Sequence, residues 1–337
     1  MNWLQWGRHS PQVNGPSILF SEEASFMQRL FSLRVILVFA LIGWCCATLV
    51  AAPPTPEELA KDPALFLESA RKLLKWDEPT DPAKIVGPIY FVGTKGLSVY
   101  LITTPEGHIL INTGMPGSGP LIEASIHKLG FKPKDIKIIL TGHAHCDHTG
   151  GHAYLQKVSG AKIAVIDREK ELLESGGKAD FHYADVKEFS FDPVRVDTVF
   201  RDGEEIKLGN ITITALLTGG HTKGSTTFLT KVTAGVESFT VIFPNGTSVN
   251  PGYRVEKNPS YPGIGDDYRR TYRTLLSLEP DIWLMPHNEA FDYETKLARS
   301  KTEGAKAWVD RDGYKKWATL QRQKFEDAVA KELKNGN

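Results

Sequence analysis

The stretch TGHAHCDHTGGH, residues 141–152, places four side chains of metal-binding type, His143, His145, Asp147 and His148, within six positions. It begins where an apolar run carrying Ile136, Ile138, Ile139 and Leu140 gives out. That pattern predicts a buried strand delivering a polar loop at its end, where α/β proteins collect functional groups. In an extended segment His143, His145 and Asp147 point to one side, and Ala144 and Cys146 to the other. The chain must then turn to bring His148 beside Asp147, and Gly150-Gly151 permits that turn into a following helix. Imidazole and carboxylate are the donors expected of a catalytic zinc, at roughly 2.0–2.2 Å from the ion. A loop with fortuitous histidines would not crowd four such donors so closely. His152, one helical turn later, is read as a cap or solvent-facing residue, and Cys146 as a non-ligand pointing away from the metals.

Two later histidines share this setting. His221 follows the strand-like ITITALLTGG and precedes Thr222-Lys223-Gly224-Ser225; His287 ends the run DIWLMP. Both stand at strand ends, which suits a site built between two halves of a layered fold. His9, His108, His127 and His182 lack that context and are read as surface or hydrogen-bonded residues.

Outward from the histidine run the chain alternates strands and helices, an α/β pattern. Residues 58–76 offer a short helix. GPIYFVGT, LSVYLITT and GHILINT then read as an antiparallel meander, broken by turns at Thr94-Lys95-Gly96 and Pro105-Glu106-Gly107. A helix over 118–130 ends at Gly130, and strands at DIKIIL and AKIAVI flank the one after Thr149. The second half repeats the theme with five strands between 194 and 246, a helix over 266–280, a strand over 281–287 and a charged helical tail. In that tail Trp308, Trp317, Leu320 and Phe325 are expected to form a face docked on the body. No linker separates the halves. Residues 53–337 are therefore read as a single domain, two β-layers packed face to face with helices outside.

The net charge is zero, which gives no ground for a nucleic-acid or anionic-membrane partner. From Met27 a short basic region, the apolar stretch VILVFALIGWCCATLV and the small-residue exit AAPP have the layout of a secretory signal peptide. Residues 27–52 are expected to be that signal, cleaved near Ala51 or Ala52, with 1–26 an over-extended start and no stable membrane anchor. The mature chain would keep Cys146 alone and hence no internal disulfide. A periplasmic or secreted, monomeric protein is the expectation.

The order HAHCDH, GGHTKGS and MPH, with GTKGLSVYLITTPEGHILINTG and KDIKIILTGHAHCDHTGG around it, resembles the metallo-β-lactamase superfamily. The resemblance implies an αββα sandwich of two mixed β-sheets with helices on the outer faces. It implies two zinc ions per chain, the first on His143, His145 and His221 and the second on Asp147, His148 and His287, with a hydroxide shared between them. Thioesterase-like and many lactonase-like members place a metal-bridging Asp at the end of the strand SFTVIFPNGTS, where this chain has Pro244-Asn245-Gly246-Thr247. The first two β-lactamase subclasses place a Cys ligand nearby, and none is present. What remains is similar to the third subclass of class B β-lactamases, as are residues 193–226 and VNPGYRV.

That similarity implies hydrolysis of the β-lactam amide of penicillins, cephalosporins and carbapenems, with Asp147 orienting the nucleophile and Thr247 and Ser248 meeting the substrate. A lactonase or other ester or thioester hydrolase is the alternative, and a non-catalytic zinc protein a weaker one. Two positions depart from the family pattern: Asn288 stands where a proline is usual, and Thr218-Gly219-Gly220 replaces Thr-Pro-Gly. Asn210-Ile-Thr and Asn245-Gly-Thr match glycosylation acceptors by chance.

Overall fold

The computed structural model describes residues 53–335; the expected signal peptide and over-extended start lie outside them. Helices α1 (Pro56–Lys61) and α2 (Pro63–Leu73) open the fold. The expectation of one helix here fails at Asp62-Pro63. Proline cannot donate to the preceding turn, and the Asp62 carboxylate instead accepts from Leu65 N at 2.9 Å, capping a new helix.

A seven-stranded sheet follows, ordered β1 (Ala83–Val86), β2 (Ile89–Phe91), β3 (Tyr100–Thr104), β4 (Gly107–Ile111), β5 (Ile136–Leu140), β6 (Lys162–Ile166) and β7 (Thr198–Phe200). Its first four strands are the antiparallel meander, and β4 to β7 run parallel. Parallel neighbours need crossovers. Helix α3 (Gly119–Lys128) joins β4 to β5; α4 (Cys146–Thr149) and α5 (His152–Ser159) join β5 to β6; and α6 (Lys170–Glu174) follows β6. The second sheet has five strands, in the order β12-β11-β10-β9-β8: β8 (Glu205–Leu208), β9 (Ile211–Leu217), β10 (Thr226–Ala234), β11 (Glu237–Phe243) and β12 (Ile282–Trp283). It is antiparallel except between β11 and β12, so both sheets are mixed, as expected.

The sheets meet through apolar side chains. Tyr100 on β3 packs against Phe243 on β11 with ring centroids 5.2 Å apart, and Phe200 on β7 against Phe228 on β10 at 6.2 Å. Helix α7 (Ile264–Ser277) precedes β12, and α8 (Tyr293–Glu303) and α9 (Arg311–Asn335) complete the chain. The tail docks as expected through Trp308, Trp317 and Phe325, all buried, but Leu320 is 52% exposed and takes no part in that face. Phe325 stacks on Tyr268 of α7, and Trp317 lies beside Trp283 of β12. No helix among the described residues is long and apolar enough to cross a membrane.

This topology determines where chemistry collects. Strands β9 and β11 both run antiparallel to β10, and β12 runs parallel to β11. Their C-terminal ends therefore share one edge of the sandwich, beside the C-terminal end of β5.

Candidate metal centre

Each sequence-derived site residue follows one of those strand ends: His143 to His148 follow β5, His221 follows β9, Thr247 and Ser248 follow β11, and His287 follows β12. The side-chain donor atoms of His143, His145 and His221 lie within 4.8 Å of one another, as do those of His143, Asp147 and His148. His287 joins through Asp147, whose Oδ2 lies 2.9 Å from His148 Nε2 and 3.5 Å from His287 Nε2. Four donors at about 2.1 Å from one ion are roughly 3.4 Å apart, so these separations suit shared coordination.

The route by which Asp147 reaches this cluster differs from the sequence expectation. Extended alternation ends at His145, and Cys146–Thr149 form one helical turn that brings Asp147 and His148 inward together. Cys146 is buried and belongs to neither donor group. His152 is a correction as well. It does not face solvent but is fully buried, bridging the hydroxyls of Thr113 at 2.6 Å and Thr141 at 2.8 Å. Those threonines follow β4 and β5, so the ring serves as a strap beneath the loop.

The polar surroundings fix which nitrogen His221 and His145 present. His221 Nδ1 lies 2.7 Å from the Ser248 carbonyl, and a carbonyl only accepts, so Nδ1 carries the proton and Nε2 keeps its lone pair. His145 Nε2 lies 3.2 Å from Asp180 Oδ2, which leaves Nδ1 as the free donor. Burial opposes charge on His145, but the hydrogen bond and charge of Asp180 outweigh it and raise its pKa. Burial, reinforced by the neighbouring histidines, holds His143 well below the usual range. Burial is also the main cause that takes His221 down to about 3 and His287 to about 4. Burial works against ionisation of Asp147, yet His148 and His287 hold its carboxyl below the usual range.

At neutral pH His143, His221 and His287 are therefore neutral imidazoles and Asp147 an ionised carboxylate, protonation states that metal binding requires. His148 Nε2 and His143 Nδ1 are buried without a hydrogen-bond partner. For His148 that holds despite the oxygen 2.9 Å away. Unpaired polar atoms in a buried cluster are costly unless something else meets them. The donor set thus fits divalent metal.

Two carboxylates that the sequence did not single out support the cluster. Asp180, beyond orienting His145, accepts from His182 N and Tyr183 N at 2.7 Å each. Glu169, fully buried, accepts from Ala144 N at 2.6 Å and Gly224 N at 2.8 Å, tying the first histidine loop to the His221 loop. Glu169 lies just beyond β6, so the strand-end rule that picked out the histidines would have found it; Asp180 had no such signal. Asn245, standing where a bridging carboxylate is absent, is turned into the fold. Its Oδ1 accepts from Asn112 Nδ2 at 2.8 Å and its Nδ2 donates to Phe243 O at 3.0 Å. Asn112 in turn accepts from Gly142 N at 3.0 Å, so the amide pair joins the ends of β4, β5 and β11.

Gly246 brings the next loop onto the cluster. It adopts φ +57°, and a Cβ there would lie 2.2 Å from Ser225 Oγ and 3.2 Å from the His143 ring. Asn288, the departure after His287, is buried. It donates to Thr94 O at 3.0 Å and Lys95 O at 2.7 Å and accepts from Ser98 Oγ, clamping the His287 loop to the 94–98 loop.

The cluster forms the floor of a cavity of about 270 Å³. Phe66, Leu67, Ala70 and Leu74 wall it on the α2 side, and Trp317 and Gln321 of α9 on another. Thr247 and Ser248 line it too, held by Tyr272 Oη on Thr247 O at 2.6 Å and Tyr268 Oη on Ser248 O at 2.7 Å.

A family model for the metallo-beta-lactamase superfamily matches residues 93–232. The fold is similar to that of native FEZ-1 metallo-beta-lactamase from Legionella gormanii, with 38% identity and a TM-score of 0.74 over 76% of this chain and 98% of that one. It is also similar to BJP-1, a subclass B3 metallo-beta-lactamase of Bradyrhizobium japonicum, with 36% identity and a TM-score of 0.73 over 79% and 99%. Among curated relatives, a "Probable metallo-hydrolase" of Burkholderia pseudomallei is 26% identical over 48% of this chain and 57% of its own length. An N-acyl homoserine lactonase of Bacillus cereus is 34% identical over 16% and 30%. The chain thus spans little more than half of the first of these and under a third of the second.

Proposed function

The chain belongs to the metallo-β-lactamase superfamily, and on that premise we propose that it is a two-zinc enzyme hydrolysing the amide bond of β-lactam antibiotics. The observation that carries this reading is Asn245. In the thioesterase- and lactonase-like pattern a carboxylate stands there; here the residue is an amide, occupied by Asn112 and the backbone. The loop after β11 therefore supplies no carboxylate to the two donor groups, as in the third β-lactamase subclass that the chain resembles.

In this account His143, His145 and His221 hold one ion, and Asp147, His148 and His287 the other. Zinc in such sites supplies a nucleophilic water at neutral pH and polarises the substrate carbonyl. The protein does the rest. Asp147, kept ionised, accepts a hydrogen bond from the attacking water and orients it. Thr247 and Ser248 offer hydroxyls to the substrate's carboxylate. The apolar wall from α2 displaces water from the reacting centre. Residues 53–337 act as one unit, exported to the periplasm or beyond, working as a monomer on a small molecule. Purified mature protein is expected to hydrolyse a chromogenic cephalosporin, lose that activity in EDTA and regain it with zinc. Activity that survives complete chelation would refute the metal-dependent account.

Lactone hydrolysis is the second reading, and one observation favours it: no Lys or Arg lines the cavity among the described residues. A neutral lactone needs no cation, whereas a β-lactam carboxylate must be met here by hydroxyls.

A further inference from the structure

Two charged side chains line the cavity among the described residues, Asp147 on the floor and Glu289 at the rim. Asp147 belongs to the metal cluster, so Glu289 is the charge left to face the part of a substrate that does not react. It sits in the 3-10 turn Asn288–Phe291, directly after His287. Its position is set by the buried clamp of Asn288, whose backbone N also donates to Gly96 O at 3.1 Å. The adjoining surface groove repeats the sign. Glu289, Asp292 and Glu294 line it together with one lysine, Lys95, which is paired with Glu78 at 2.8 Å. The rim is thus negative, its backbone is held by the Asn288 clamp, and among the described residues no Lys or Arg is paired with Glu289.

We propose that Glu289 is a specificity-determining residue that favours substrates with a cationic substituent on the side chain remote from the scissile bond and disfavours anionic ones there. The inference rests on the β-lactam reading above. Metal held by the floor residues would act on the reacting end of every substrate alike; Glu289 discriminates only among the substituents presented at the rim. A single charge contact at a solvated rim changes affinity by up to about fivefold, attraction of an amine and repulsion of a carboxylate add in their ratio, and salt weakens both.

Benzylpenicillin, ampicillin and carbenicillin test this directly. They share one nucleus and one aromatic side chain, and differ by a hydrogen, an amine or a carboxylate on the carbon beside the ring. With the zinc-loaded mature chain slightly below neutral pH, KM is expected to rise in the order amine, hydrogen, carboxylate. The amine-to-carboxylate ratio of kcat/KM should fall three- to tenfold in Glu289→Gln and further in Glu289→Lys, through KM more than kcat. Raising the salt concentration should shrink the wild-type preference. A ratio in Glu289→Lys within twofold of wild type, with all three penicillins turned over, would overturn the inference alone. No turnover of any of them by the wild type would overturn the β-lactam reading and the inference with it.

Discussion

Asp180 Oδ2 lies 3.2 Å from His145 Nε2, with both side chains almost completely buried. The carboxylate determines which nitrogen of His145 is free, and its second oxygen holds the 180–183 turn in place. Asp180→Asn keeps that turn but can offer an amide N–H to Nε2, favouring the wrong tautomer. Zinc affinity is expected to fall 10- to 100-fold, the range for lost outer-shell partners. Competition with a chromophoric chelator measures it, and unchanged affinity would remove Asp180 from the account.

Asn288 anchors His287 and not His143, His145 or His221. Asn288→Ala, which breaks its bonds to Thr94 O, Lys95 O and Ser98, should weaken binding of one zinc and spare the other. Asn288→Asp should be worse, because it sets a carboxylate against two carbonyls. Stepwise metal titration distinguishes this from a uniform loss at both positions.

Glu169 joins two ligand loops through Ala144 N and Gly224 N. Glu169→Gln turns one acceptor into a donor facing a backbone N–H. About 1.5–3 kcal/mol of stability should be lost in denaturant unfolding, the usual worth of hydrogen bonds to a charged group.

His152 predicts a pH dependence. Burial holds its pKa down to about 3, whereas in the unfolded chain it is near 6.5. Between these values the unfolded state binds the proton and the folded state does not, so this contribution to stability is full above about pH 6.5 and is lost as pH falls towards 3. His152→Gln removes the titration and keeps hydrogen-bonding groups. In urea melts of the metal-free protein, the variant should be less stable at pH 7.5 and lose stability less steeply on acidification. Parallel slopes would contradict this.

Much of the fold and of the cluster was legible because periodicity and strand ends are local signals. The apolar run from Ile136 to Leu140 announced β5, and the histidines after it announced a site. His221 and His287 followed by the same rule. The reading failed where a residue's role depends on distant partners. Asp180 looks like any loop carboxylate until the fold brings it to His145. His152 reads as a cap or solvent-facing residue in sequence because its partners Thr113 and Thr141 come from two other segments. The break at Asp62-Pro63 was local and legible, as an N-cap followed by proline, but the helical run on either side masked it.

The central claim is that a two-metal site without a bridging carboxylate, served by hydroxyls and not by cations, opens β-lactams. The most direct test compares kcat/KM for a penicillin or carbapenem with kcat/KM for an acyl homoserine lactone, using one zinc-reconstituted preparation of the mature chain. A β-lactam value at least about tenfold the higher, a transition-state preference of roughly 1.4 kcal/mol or more, is the predicted result. Turnover of the lactone with none of the β-lactam would contradict it.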